Sequence, residues 1–299
     1  MLCLIVNPRS GGGRALQALP SVLAQLGREG CDHRVEFATG LPHAGALART
    51  AALAGEMPVA FGGDGLVATV ANATRDTGAV MGVLPAGRGN DFARYLGVPL
   101  DPVRATAVLA TGEPRCIDMG AVGDRAFLGI ATCGFDSDAN RIANRTRYIG
   151  GRFVYVYAGL RALARWQPSN FALRVDGTAH ELFGYTVAVA NSGMHGGGML
   201  LAPGASLQDG RFDVVMIAAA SKPRFLSLLP SVYRGRHINA HEVSVLSART
   251  VELDAERPFT LYADGEEMAA LPVTLRVLPA AVGVMAPAGD APTLQRCRA

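Results

Sequence analysis

Short apolar runs alternate with longer segments in which apolar positions recur every three or four residues. "MLCLIVN" (1–7) is a continuous run of buried-strand type, and 14–28 carries Leu16, Leu19, Leu23 and Leu26 at helical spacing. "HRVEFAT" (33–39) alternates as a half-buried strand, 43–55 reads as a helix, and "PVAFGG" (58–63) as a further strand. Helical character returns over 66–76 and is followed by the apolar run "AVMGVLPAG" (79–87). Strands separated by helices predict a doubly wound, mostly parallel α/β sheet.

The pattern changes from about Asp118 onward. "RAFLGIATCGF", "NFALRVD", "FGYTVAVAN", "RFDVVMI", "EVSVLSARTVELDA", "FTLYADG" and "PVTLRVLP" are Val- and Leu-rich, strand-like, and separated by turn residues such as Asp-Gly and Gly-Gly. Only 137–166 and 222–236 interrupt them with helical character. The fold class expected is therefore α/β plus all-β. Residues 1–118 would form an α/β domain and 119–299 a β-sandwich-like one, with a boundary within 112–124 and a last strand open to either domain.

Composition changes this picture little. In 299 residues, apolar types make up 49% and charged types 18%, enough to bury two cores. A net charge of +3 is too small to argue for nucleic acid. The five cysteines show neither a paired framework nor metal-ligand spacing, which reads as a reducing compartment. The apolar start is too short for a signal-peptide core, and no segment approaches the roughly 20 apolar residues of a spanning helix. A cytoplasmic protein with transient, peripheral membrane contact is the expectation.

Three glycine-rich loops follow successive strands of the first domain, where open α/β sheets present their ligand crevice. "NPRSGGGRA" (7–15) opens a helix, so its amides suit phosphate oxygens and Arg14 adds charge; it lacks the Gly-Lys-Ser/Thr end of a Walker A loop. "GGDG" (62–65) and "LPAGRGNDF" (84–92) each place an acid, Asp64 and Asp91, beside glycines. An acid inside a phosphate cradle calls for a cation between the two charges. Either Asp is equally at home capping a helix or filling a turn.

These three loops resemble those of the diacylglycerol kinase catalytic-domain family, which includes sphingosine, ceramide and related bacterial lipid kinases. The likeness continues through "DMG" (118–120), "GFDSDA" (134–139), "GGGMLLAPGASLQDGRFDV" (196–214), "YRGRH" (233–237) and "YADGEE" (262–267), in order over essentially the whole chain. The resemblance implies an α/β nucleotide domain followed by a β-sandwich lipid domain, with the active site in the cleft between. It implies ATP bound by Asn7, Ser10, Gly11, Arg14, Gly62, Gly63, Gly65, Arg88 and Asn90. Mg²⁺ would be organised through water by Asp64, Asp91 and Asp118. Asp264 would take the proton from the acceptor hydroxyl, with Glu266 as a supporting acid; Asp264-Gly265 is also an ordinary hairpin turn, and an Asp at its tip satisfies both readings. Asp209 matches a segment that binds a structural metal in some members, and Asp209-Gly210 is equally a plain turn. His195 in the loop before it reads as a ligand, a base or a polar loop residue.

The chain departs from the family at three places. Arg88 stands where Thr is usual, Leu66 follows GGDG where many members have Thr, and Ala68 and Thr69 replace an expected Asn-Glu or His-Glu pair. The acceptor is not encoded by these motifs: diacylglycerol, a sphingoid base, ceramide or a polyprenol all fit. Rival readings are an NAD kinase-like enzyme and a catalytically decayed lipid-binding module.

A route to the lipid is suggested by 141–166, which holds Arg141, Arg145, Arg147, Arg152, Arg161 and Arg165, no acid, and Tyr148, Phe153, Tyr155, Tyr157 and Trp166. Basic residues among aromatics suit an anionic bilayer surface, single-stranded nucleic acid, or a core helix with a solvated Arg face. A second acid-free stretch, 221–241, favours the membrane, and no nucleic-acid partner is expected.

Overall fold

The computed structural model describes residues 1–146 and 153–288, without the side chains of 140, 143–145 and 153–156. The chain divides into two compact units. One holds Met1–Met119, Leu207–Asp209 and the chain from Leu278 on; the other holds Gly120–Ser206 and Gly210–Val277.

The first unit is built on β1 (Leu2–Val6), β2 (His33–Phe37), β3 (Met57–Gly62) and β4 (Val80–Pro85). β1 is buried at every position, as a parallel strand covered on both faces must be. β1 pairs in parallel with β2 (Leu2 opposite His33) and with β3 (Leu2 opposite Met57), and β3 pairs in parallel with β4 (Val59 opposite Gly82). The order is therefore 2-1-3-4. Its connections are α1 (Arg14–Arg28), α2 (Leu41–Leu53) and α3 (Asp64–Thr74). Right-handed crossovers then put α1 on one face and α2 and α3 on the other, because the chain moves one way from β1 to β2 and the other way from β2 through β3 to β4. In agreement, α2 packs on α3, whereas α1 packs on α5 (Pro102–Thr111), reached through the short α4 (Asp91–Tyr95). Helix α1 buries Ala15, Leu19, Val22 and Leu26, one stripe of its surface.

β5 (Glu113–Val122) leads into the second unit, where β6 (Arg125–Phe127) pairs back on it through Gly120 opposite Phe127. There follow β7 (Ile130–Gly134), α6 (Phe135–Arg145), α7 (Phe153–Arg165), β8 (Ser169–Val175) and β9 (Thr178–Ala190). The short pair β10 (Met194–His195) and β11 (Met199–Leu200) precedes β12 (Phe212–Ala218), α8 (Lys222–Val232), β13 (Val243–Ala248), β14 (Thr250–Ala255), β15 (Thr260–Ala263) and β16 (Glu266–Ala270). β17 (Val273–Ala286) ends the described chain. Its first residues pair with β14 (Leu275 opposite Val251), while Gly283 and Val284 pair in parallel with Val80 and Met81 of β4.

The second unit is antiparallel and sandwich-like. β9 pairs with β8 along its first half, and with both β7 and β12 along its second. β8 alternates buried and exposed residues throughout, the mark of a strand with one face on a core. That core includes Phe171, Leu253, Leu261 and Leu275, with Phe127 and Phe212 stacked at 6.0 Å between ring centroids. A second core of Phe135, Tyr185, Phe225 and Trp166 forms where helices meet β9 and β12. Tyr185 and Phe225 stack at 4.3 Å and Phe135 meets Phe225 edge-on at 5.0 Å, each pair adding about 0.5–1.5 kcal/mol beyond simple burial. Trp166, expected among the membrane-facing aromatics, is instead buried here. Its flat, apolar ring has aromatic neighbours to pack on, and its segment ends just before β8. Tyr157 and Leu160 of the same segment stay exposed. Arg145, Arg147, Tyr148, Arg152, Phe153 and Tyr155 of that expectation lie outside the described side chains.

Candidate active site

The strand order sets where a ligand belongs in the first unit. In open α/β sheets the crevice lies at the carboxyl ends of the strands where the order reverses, here between β1 and β3. The loop after β1 carries Asn7, Ser10 and Gly11, and the loop after β3 carries Gly62 and Gly63. Asn7 Oδ1 accepts the Arg9 amide at 3.0 Å, turning the chain, and Gly11, Gly12 and Gly13 all take positive φ. A side chain at Gly11 would strike the Ala86 carbonyl as well as the Arg14 guanidinium. The loop after β4 packs onto the other two: the Ala86 amide donates to the Gly62 carbonyl at 2.7 Å, and Gly63 and Gly87 approach so closely that neither has room for a Cβ. The three loops are thus one backbone platform.

Arg14 ties that platform together. Its Nε donates to the Gly11 carbonyl at 3.1 Å and its terminal nitrogen to the Gly87 carbonyl. Asn90 sits in the left-handed region at φ 54°, which Asn tolerates better than most residues. Its Oδ1 accepts the Gly87 amide at 2.7 Å and its Nδ2 donates to the Gly87 carbonyl at 3.3 Å. Both ends of the Asn90 side chain thus brace the turn. Arg88, at the tip of that turn, points into solvent.

Asp64 is the second link between loops. It opens α3, where the helix N-terminus favours negative charge. Its carboxylate accepts the Asn90 amide at 2.8 Å and the Phe92 amide at 3.2 Å. Burial, reinforced by the charge of Asp91, pushes its pKa up, and those amides pull the other way. A Cβ placed on Gly89 would lie 3.2 Å from Asp64 Oδ2 and 3.3 Å from Asp91 Oδ2. Two carboxylates therefore converge on the α-carbon of a residue with no side chain. An oxygen set of this charge suits a hard, hydrated divalent cation.

Asp118 belongs to the same unit. It is buried, its amide donates to the Leu207 carbonyl at 2.6 Å, and its Oδ1 accepts the Ala280 amide at 2.7 Å. Asp118 thereby holds three chain segments of the unit together. Asp209 is exposed, next to Gln208, whose side chain donates to the Cys116 carbonyl at 2.6 Å. Among the described residues, no three His, Cys, Asp or Glu side chains are disposed to hold one metal ion.

In the second unit, Asp264 and Gly265 form the tip of the β15–β16 hairpin, both at positive φ (52° and 83°). This is the Asp-Gly turn whose twist suits adjacent strands. The side chain is not turned to solvent. Oδ1 accepts the Gly129 amide and Oδ2 the Leu128 amide, both at 2.8 Å. Asn191 supports that turn, its Nδ2 donating to the Leu128 carbonyl at 2.8 Å and its amide to the Gly129 carbonyl at 3.0 Å. Glu266 is exposed on β16, opposite Ala263.

Sequence reasoning passed over Asp136. Burial pushes its pKa up, opposed by the charge of His195 and by the Thr186 hydroxyl, which donates to its Oδ2 at 3.1 Å. The quoted "GFDSDA" contains it, but no spacing rule marks one Asp of that stretch as buried beside a His.

Two family models match the chain. Residues 1–122 match the model of the diacylglycerol kinase catalytic domain, and 129–286 that of the YegS C-terminal NAD kinase beta sandwich-like domain. A diacylglycerol kinase of Mycobacterium tuberculosis is 35% identical over 95% of this chain and 94% of its own length. One from Bacillus subtilis is 32% identical over 90% of each. A crystal structure of a diacylglycerol kinase from Bacillus anthracis, 18% identical, shares the fold with a TM-score of 0.74 over 96% of this chain and 97% of that one.

Proposed function

The chain belongs to the diacylglycerol kinase family of lipid kinases, and from that premise we propose that it transfers the γ-phosphoryl group of ATP to the hydroxyl of a lipid alcohol, diacylglycerol first among the candidates. The observation that carries the reading is the convergence of Asp64 and Asp91 over Gly89, on a three-loop platform at the sheet's switch point. Backbone amides around Ser10, Gly11, Gly62, Gly63 and Gly65 would take the phosphates, with the first turn of α3 adding its dipole. Asn7, Arg14 and Asn90 shape those loops. Bound there through water by Asp64 and Asp91, Mg²⁺ would neutralise phosphate charge. Asp118 would be the third acid of that water-mediated network.

Asp264 would accept the proton of the acceptor hydroxyl. Its two amide contacts orient the carboxylate before substrate arrives, and loss of a general base removes about 10²–10⁴-fold in rate. Glu266 would support it as a neighbouring acid, and Asp209 is kept as a candidate ligand of a structural cation. Access to the lipid would come through α7 and α8, linked by Lys222, whose Nζ donates to the Ala164 carbonyl at 2.9 Å. Tyr157, Leu160, Leu226, Leu229 and Tyr233 are exposed on these helices and would rest on an anionic bilayer surface.

The test is transfer of labelled phosphate from ATP to a panel of lipid alcohols in mixed micelles, wild type beside Asp264→Asn. Label on one lipid class with wild type alone is the expected result. Label at equal rates with the variant would remove Asp264 from the mechanism. No label on any lipid, with ATP still bound by calorimetry, would sink the kinase reading for this panel.

A further inference from the structure

Helices α6 and α7 enclose a cavity of about 500 Å³ whose wall includes Arg141, Arg161, Arg165 and Arg257, with Asp138 as the acid among the described lining residues. Asp138 is already engaged, at 2.7 Å from the Arg141 guanidinium. Arg161 donates to the Tyr157 hydroxyl at 2.7 Å, and Arg257 to the Gln167 carbonyl at 2.6 Å, so both meet neutral acceptors. Among the described residues no carboxylate forms an ion pair with Arg161, Arg165 or Arg257. The Arg257 guanidinium is held in place by the faces of Trp166 and Phe259, 4.8 and 4.9 Å from the ring centroids.

With Asp138 taken up by Arg141, the remaining arginines leave this wall with an excess of positive charge and N–H donors. Guanidinium forks match tetrahedral oxyanions in geometry, and charge-assisted bonds to them are the strong kind. We propose that the α6–α7 cavity is a phosphate-binding site, taking either the phosphodiester headgroup of an anionic lipid or free phosphate. It lies within the second unit and is assigned from residues outside the candidate catalytic set. Its test does not depend on turnover.

Trp166 makes the test direct, because it is the chain's single tryptophan and forms part of the wall. Its emission is followed in the full chain during titration with inorganic phosphate, and separately with vesicles of phosphatidylglycerol or of phosphatidylcholine, at fixed ionic strength set with chloride. A saturable change with phosphate identifies free phosphate as sufficient; a change with phosphatidylglycerol vesicles alone identifies the lipid headgroup. Either result supports the site when Arg161→Gln/Arg165→Gln weakens it by at least about tenfold. Arg165→Lys, which keeps charge and stem but loses the fork, provides a second reading should the double variant lose its fold, with several-fold weaker binding expected. No saturable change with any titrant, the same change with chloride, or unaltered affinity in these variants would overturn the proposal.

Discussion

Asp264 Oδ1 and the α-carbon of Gly129 are so close that a methyl group on Gly129 would lie 2.5 Å from the oxygen. The Gly129 amide also donates to that same oxygen, so contact and hydrogen bond together fix the carboxylate. Gly129→Ala is expected to push Asp264 off its position while leaving the acid in place. A displacement of this order lowers kcat by about 10²-fold when the group is the base. Affinity for nucleotide in the other unit is expected to be unchanged. Steady-state kinetics with varied ATP and lipid check both, and a full kcat in a folded variant would count against Asp264 as base.

Gly89 makes the same kind of statement about the cation. A Cβ there would come within 3.2 Å of Asp64 Oδ2 and 3.3 Å of Asp91 Oδ2, filling the point that the two oxygens share. Gly89→Ala is expected to weaken Mg²⁺-dependent nucleotide binding by about tenfold, with little change in binding of nucleotide without metal. Calorimetric titration of ATP with and without Mg²⁺ separates the two. Equal losses under both conditions would show a damaged loop instead of a lost cation.

The alternation of apolar runs and helical spacing made the α/β half legible, because parallel strands buried on both faces are written as continuous apolar runs. "LCLIV" and the helix over 14–28 are read straight from that rule. The sandwich half was legible as a class, since β8 alternates cleanly. Its pairing was not, because β9 serves β8, β7 and β12 in turn and nothing local encodes a strand with three partners. At the candidate site, glycines and acids announced the loops. What those residues do to one another was hidden: Asn90 turns both side-chain ends onto Gly87, and Arg14 bonds to carbonyls from two loops. Trp166 was misplaced for a related reason. A single aromatic in a basic stretch carries no sign of which helix face it takes, and only the fold supplies Phe135 and Tyr185 as neighbours.

Asp136 gives a pH-dependent expectation. Its folded-state pKa is raised above the unfolded value, mainly by burial. The folded form therefore holds a proton that the unfolded form releases, and stability falls as pH rises from about 4 toward the folded value. Asp136→Asn removes that dependence while keeping an oxygen for the Thr186 hydroxyl. The variant is expected to match wild type near pH 4 and to exceed its Tm by about 2–4 °C at pH 7. Thermal unfolding at the two pH values checks it, and a gap that does not grow with pH would refute the assignment.

Leu226, Leu229 and Tyr233 are 37%, 36% and 56% exposed on and just beyond α8, at a spacing that lines them along one side of the helix. Arg224 nearby pairs with Glu242 at 2.8 Å, and Arg234 adds positive charge beside the apolar row. Inserted below the headgroups, each apolar side chain would contribute a fraction of the roughly 1.5–3 kcal/mol of full burial. Leu226→Ser/Leu229→Ser/Tyr233→Ser is thus expected to weaken binding to phosphatidylglycerol vesicles by at least about tenfold. Turnover of a short-chain, monomeric acceptor should be unaffected, because these side chains lie outside the candidate catalytic set. Vesicle co-sedimentation beside kinetics on the soluble acceptor separates docking from chemistry. Vesicle binding that survives the triple change would move the docking surface elsewhere in the chain.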